Sequence, residues 1–318
     1  MGRAILLMGP TGAGKTDAAL KLAERLPVDL VSVDSAMVYR GLDIGTAKPA
    51  ADIRARVPHA LIDIRDPAER FSVAEFLAEA THAIEASHAR GRVPLLVGGT
   101  MLYFRALQSG LAELPSADRD VRAALEARAK EEGWPALHDE LARVDATAAA
   151  RIGRNDAQRI QRALEVHALT GRPLSSFQRE DLKGAVEASF LPLVLAPPER
   201  AALEASLERR FAGMLEAGLL EEVRSLKARG DLDASLPSIR SVGYRQLWAH
   251  LEGESTLAEA SRAAVQATRQ LAKRQYTWLR AEPNARWIAL TGEGGAHEIE
   301  RVAREWILTH CKASESVC

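Results

Sequence analysis

Eight residues near the start of the chain, Gly9-Pro10-Thr11-Gly12-Ala13-Gly14-Lys15-Thr16, fit the pattern G-x-x-x-x-G-K-[ST]. Glycines let the backbone curl until successive N–H groups point inward, and a helix that begins there adds partial positive charge. Such a loop holds polyphosphate oxygens. In this arrangement Lys15 reaches the terminal phosphate and the Thr16 hydroxyl serves Mg²⁺. The pattern specifies phosphate, not which phosphate compound. The next residue able to do chemistry is Asp34, in Ser32-Val33-Asp34-Ser35. Three roles are open to it: cap of the following turn, magnesium ligand, or general base for an incoming nucleophile. The motif alone favours the metal ligand over the base.

Both groups need a scaffold that brings them together. Ala4–Met8 reads as a buried strand, the glycine turn follows, and a helix runs from Lys15 to Leu26, ended by Pro27. Leu30–Val33 is a second apolar run that stops at Asp34. A further strand is expected at Leu61–Ile64. Ser72 and Glu75 have capping-box spacing, and Gly91 closes that helix. Val93–Val97 is another buried strand, followed by Gly98-Gly99. Strands alternating with helices imply an α/β fold, a P-loop NTPase-like parallel sheet with helices on both faces. Asp34 then sits at the carboxyl edge of the sheet, beside the phosphate loop.

Past about Leu114 the pattern changes. From Ala117 to Glu187 the segments are helical, Asp118–Glu132 and Asp156–Thr170 among them, the second with Asn155 as N-cap, and no strand is evident. The chain therefore divides into a catalytic core, residues 1–115 and 190–318, and an all-helical insertion, 116–189. Leu191–Leu195 returns to the sheet. Long helices follow over Glu199–Ala217 and Thr256–Arg280, then a strand at Trp287–Leu290 and a last helix over Glu298–Cys311.

The 318 residues carry a net charge of −1, so a nucleic-acid partner must be met by local clusters of Lys and Arg. Two cysteines, Cys311 and Cys318, with no CxxC pair, suit a reducing cytoplasm and exclude a zinc or disulfide framework. No apolar stretch approaches the roughly 20 residues of a membrane span. No N-K-x-D guanine motif is present, which argues against a GTPase, while a P-loop small-molecule kinase stays open. Arg159 and Arg162 lie three apart on one helix face, with Arg151 and Arg154 upstream. Arg262, Arg269, Lys273 and Arg280, spaced seven, four and seven apart, form one stripe on the last long helix. Such rows suit phosphates, and they equally describe a solvated helix face.

From Ile5 to about Arg280 the sequence resembles the tRNA dimethylallyltransferases. The likeness rests on separated blocks in one order: Gly9–Thr16; Asp34-Ser35 with Val38-Tyr39-Arg40-Gly41-Leu42-Asp43-Ile44-Gly45-Thr46-Ala47-Lys48-Pro49; Pro58-His59 with Leu61-Ile62-Asp63; and Val97-Gly98-Gly99-Thr100. Asn155-Asp156 with Gln158–Arg162 follows, then Arg210-Phe211, Met214-Leu215 and Gly218-Leu219, and finally Arg240–Gln246 and Arg269–Gln275. Ala36-Met37 departs from the pattern, where a bulkier residue and then Gln are expected; the departure spares Asp34.

The resemblance implies a transferase that moves a dimethylallyl group from its diphosphate to the N6 amine of adenosine at tRNA position 37, next to the anticodon, releasing diphosphate. Lys15, Thr16, Mg²⁺ and the loop amides, with Arg210, would grip the diphosphate. Asp34 becomes the general base, which reverses the preference for a metal ligand, and the target adenine leaves its stack to meet it. Expected tRNA contacts are Asp34, Ser35, Ala36 and Met37, Thr100, and Arg122 with Gln158, Arg159, Ile160, Gln161 and Arg162. A third group is Arg240, Ser241, Val242, Gly243, Tyr244 and Arg245. The last is Lys273, Arg274, Gln275, Tyr276, Thr277, Trp278, Leu279 and Arg280. Arg245 serves either diphosphate or RNA, and Thr100 serves equally as a helix N-cap. An adenylate isopentenyltransferase acting on free nucleotides is the near alternative. The basic C-terminal half favours tRNA, and a cytoplasmic monomer is expected.

Overall fold

A computed structural model describes residues 2–177, 182–197, 199–289 and 292–315. Two compact units divide them: Met1–Arg105 with Glu187–Cys318, and Ala106–Val186.

The larger unit opens with β1 (Gly2–Met8), α1 (Lys15–Arg25), β2 (Val28–Val33), α2 (Ala51–Arg56), β3 (His59–Ala60), α3 (Val73–Ala89), β4 (Val93–Gly98) and the first half of α4 (Met101–Ser109). Strands β1, β2 and β4 are buried along most of their length because both of their faces are covered. Alternation along each strand sorts the side chains. Ile5, Leu7, Val28, Leu30, Val93 and Leu95 enter one core with Ala18, Ala19 and Leu22 of α1. Helix α3 starts where the spacing predicts: Ser72 accepts from the Glu75 amide and Glu75 caps the Ser72 amide in return.

The expected strand at Leu61–Ile64 is displaced. Pairing stops at the two residues of β3, because Leu61 and Asp63 take positive φ (65° and 57°), which no strand accommodates.

The smaller unit holds β5 (Leu111–Ala112), α5 (Arg119–Glu132), α6 (Trp134–Val144), α7 (Ala146–Ala149), α8 (Ala157–Thr170), α9 (Leu174–Phe177) and β6 (Leu182–Lys183). Leu125, Leu137, Leu141, Ile160 and Leu164 form its core. Contrary to expectation it contains strand: β5 and β6 pair antiparallel at its two ends. The N-cap of α8 is Asp156, whose side chain accepts from the Arg159 amide, rather than Asn155.

The chain returns to the larger unit with β7 (Ala188–Ala196), α10 (Arg200–Glu216), α11 (Leu219–Ala228), α12 (Tyr244–Leu251), α13 (Leu257–Leu279), β8 (Arg286–Ala289) and α14 (Gly292–Glu315). Leu290, expected in the last strand, and Cys318 lie outside the described residues. The six-stranded sheet has the order β3-β2-β4-β1-β7-β8, with every pair parallel. A second core joins Val38, Tyr39 and Leu42 to Phe211, Leu219, Val223, Tyr244, Leu247 and Trp248. No helix among the described residues is long and apolar enough to cross a membrane.

Candidate active site

The phosphate loop connects β1 to α1 at the carboxyl edge of the sheet. Gly14 is the N-cap of α1 and takes φ 75°, a left-handed conformation that costs a side chain dearly. No side chain caps this helix, so its first amides stay available to an anion. Lys15 follows, and its Nζ donates to the Pro10 carbonyl at 2.8 Å. Burial pushes the ammonium down to a pKa of about 8, which Asp34 opposes and the Arg210 charge reinforces. Burial likewise lowers Arg210, against the pull of Asp34 and Asp17. Two cations and a carboxylate thus share one field, with the cations incompletely compensated. A bound anion relieves that.

Loop, cations and carboxylate line a single cleft of about 410 Å³, within the range of small-molecule sites. Asp34 directly follows β2, and its Oδ1 accepts from the amides of Ala36 (2.8 Å) and Met37 (3.3 Å). This turn fixes the side chain. Among the described residues Oδ2 receives no hydrogen bond, so one carboxylate oxygen is left to take a proton. Thr100, at the end of β4, accepts from the Ser35 amide at 3.2 Å and ties the two strand ends together.

A group the sequence assigned to RNA does something else. Gln275, on α13, is buried. Its Oε1 accepts from the Thr11 amide and its Nε2 donates to the Gly99 carbonyl, both at 2.9 Å. It straps the phosphate loop to the loop after β4. A Cβ on Gly99 would stand 2.4 Å from Nε2, so any side chain there would displace the strap.

The opposite wall comes from Thr46–Ala50. The Lys48 ammonium, almost wholly enclosed, donates to the Tyr39 carbonyl (2.8 Å), Asp43 (2.5 Å) and Asp63 (2.6 Å). Asp63 also pairs with Arg54; burial opposes its ionisation, but these cations hold its carboxyl below the usual range. From α11, Glu222 accepts the amides of Asp43 (3.1 Å), Ile44 (2.7 Å) and Gly45 (3.3 Å), and the Tyr244 hydroxyl donates to it at 2.5 Å. Nothing in the local sequence around Glu222 signals this role.

Several expected RNA contacts are therefore corrected. Ile160 lies in the core of the insertion, and Tyr244 and Leu279 are fully buried in the larger unit. Arg122 and Arg162 both donate to Glu165, which has no exposed surface, yet their own side chains stay partly exposed, which is compatible with the expected RNA contact. Burial alone would raise the Glu165 pKa; the two guanidinium groups and the Asp118 amide bring it below the usual range. Gln158, Arg159, Arg240, Arg245, Lys273, Arg274, Thr277, Trp278 and Arg280 are exposed. Arg245 does not line the Asp34 cleft.

The cleft also fits Mg²⁺. The Thr16 hydroxyl and the carboxylates of Asp17 and Asp34 line it, and all are hard oxygen donors. No group of three or more His, Cys, Asp or Glu able to hold a metal occurs among the described residues. An ion there would share the ligand's own phosphate oxygens, as Mg²⁺ usually does.

A family model described as IPP transferase matches residues 37–282. A tRNA dimethylallyltransferase of Bordetella petrii is 55% identical over 302 residues, 94% of this chain and 96% of that protein. One from Halorhodospira halophila is 57% identical, covering 87% and 90%. Among solved structures, the tRNA isopentenylpyrophosphate transferase of Bacillus halodurans superposes with a TM-score of 0.72 at 38% identity, covering 99% of this chain and 100% of that one. A eukaryotic dimethylallyltransferase acting on tRNA gives 0.75 at 25% identity, covering 92% and 74%.

Proposed function

The chain belongs to the IPP transferase family, and from that premise we propose that it transfers a dimethylallyl group from dimethylallyl diphosphate to the N6 amine of adenosine 37 in tRNA, releasing diphosphate. One observation carries the reading: an uncapped phosphate loop and a carboxylate with a free oxygen open into the same cleft.

The chemistry follows from that pairing. As the allylic C–O bond breaks, its electron pair moves onto the diphosphate. The loop amides, Lys15 and Arg210 face the charge that develops, and so stabilise the transition state more than the ground state. One such donor is typically worth about 3 kcal/mol. The adenine amine is a weak nucleophile because its lone pair is delocalised into the ring. Asp34 accepts its proton as the C–N bond forms. Bound at Thr16, Mg²⁺ would neutralise part of the diphosphate charge. Apolar side chains of Leu30, Val31, Met37 and Ile62 line the same cleft and suit a hydrocarbon group.

In this reading the protein acts as a monomer and grips the anticodon stem-loop through exposed residues. These are Gln158 and Arg159 of the insertion, Arg240 and Arg245, and Lys273, Arg274 and Arg280. The test is mass spectrometry of unmodified tRNA after incubation with enzyme, Mg²⁺ and dimethylallyl diphosphate. A mass gain of one dimethylallyl group at adenosine 37 supports it. Transfer to AMP in preference to tRNA, or labelled phosphate passing from ATP to a small acceptor, refutes it in favour of an adenylate isopentenyltransferase or a kinase.

A further inference from the structure

Pairing β8 onto β7 extends the parallel sheet beyond the phosphate loop, and the carboxyl ends of such strands are where α/β sheets hold ligands. A second hollow of about 510 Å³ opens there. It shares no lining residue with the Asp34 cleft. Its floor is apolar: Leu203, Leu207 and Ala272 form a buried cluster on which Tyr276 packs. Tyr276 and Trp287 present near-parallel rings, centroids 6.5 Å apart with planes 12° from parallel. Trp287 is nevertheless 43% exposed, on an edge strand where a large aromatic gains little from burial.

Cations surround these rings. Lys273 and Arg280 make no side-chain hydrogen bond or ion pair among the described residues. Arg269 pairs with Glu208, yet its Nε is buried without an acceptor. Against these three cations the lining sets one carboxylate, Glu204. A hydrocarbon would leave the cations uncompensated, and inorganic phosphate would leave the rings uncovered. A flat ring that carries a phosphate satisfies both.

We propose that this hollow is a nucleotide subsite. The base lies against Tyr276 and Trp287, and its phosphate is held by Lys273 and Arg280, with the Arg269 charge beside them. Two sources offer that chemistry: a nucleotide of the RNA other than the acceptor adenosine, and a free nucleoside phosphate. The first rests on the function proposed above; the second does not.

The test titrates the full chain with AMP while tryptophan fluorescence is followed, in wild type, Trp287→Leu and Trp287→Phe. Affinity for unmodified tRNA, prenyl transfer and the KM for dimethylallyl diphosphate are measured in parallel. AMP is expected to quench wild type and not Trp287→Leu. Loss of one stacked base lowers tRNA affinity about 5- to 150-fold. Trp287→Phe, which keeps a ring, recovers most of it, and the KM for dimethylallyl diphosphate stays the same throughout. A change in AMP binding alone assigns the subsite to free nucleotides, and a change in tRNA affinity alone, rescued by Phe, assigns it to RNA. If Trp287→Leu matches wild type for both ligands, the subsite is overturned while prenyl transfer stands. If wild type transfers nothing to tRNA yet binds AMP through Trp287, the function falls and the subsite remains.

Discussion

Replacing Gln275 by Met keeps the length and volume of the side chain and removes both hydrogen bonds of the strap. The Thr11 amide and the Gly99 carbonyl lose their partners at 2.9 Å. A buried polar group left unsatisfied costs about 1–3 kcal/mol. The Gly99 bond is buried and takes that full cost, while the Thr11 bond is only partly buried and adds less; the sum is divided between global stability and the shape of the phosphate loop. If only 1.4 kcal/mol reaches the loop, diphosphate affinity falls about tenfold. We expect the KM for dimethylallyl diphosphate to rise about tenfold or more, with kcat falling less and a lower Tm. tRNA affinity should hold, because the side chain is buried and both of its polar atoms are spent on backbone. Steady-state kinetics with each substrate varied in turn, beside tRNA binding, separate these effects. The reasoning is refuted if the diphosphate KM is unchanged and tRNA affinity drops tenfold; Gln275 would then read RNA, and the strap would be incidental.

Asp34→Asn removes the proton acceptor while keeping the turn and should lower kcat by about 10²–10⁴ with tRNA affinity nearly retained, measured by single-turnover transfer and filter binding. Lys15 must be charged to hold the diphosphate, and its pKa is lowered to about 8 in the free protein. The KM for dimethylallyl diphosphate is therefore expected to be flat below pH 8 and to climb above it, where the ammonium loses its proton; a flat profile from pH 7 to 9.5 would count against that role. Replacing both Arg122 and Arg162 by Met strands the Glu165 carboxylate inside the insertion and should cost about 3–5 kcal/mol, read as a lower denaturation midpoint. Arg159→Glu with Lys273→Glu should weaken tRNA binding and flatten its dependence on salt, whereas an unaltered slope removes both residues from the interface.

The chemistry of the cleft was legible where it is local. The phosphate loop, its helix and Asp34 at a strand end follow from patterns a few residues long, which local sterics decide. Gln275 and Glu222 were not legible in their actual roles, because each acts on backbone 176–264 residues away, and no periodicity reports such a partner. Helix spacing placed Arg159 and Arg162 on one face correctly, but could not tell that Glu165 lies buried beneath Arg162. Motif blocks mix surface with core, so Ile160, Tyr244 and Leu279 were carried along with their exposed neighbours. The strand expected at Leu61–Ile64 failed through two positive φ angles that its apolar composition conceals.

The strap and the Glu222 clasp have a consequence for the protein during synthesis. The phosphate loop leaves the ribosome early, but the side chain that fixes it arrives at residue 275 and the clasp on its far wall at residue 222. β1 must also wait for β7, its neighbour in the sheet, across the whole insertion. A nascent chain therefore carries the reactive residues without a competent cleft until residue 275 has been added. Ends this distant make folding slow and the partly made sheet adhesive, so the late helices act as the step that switches chemistry on.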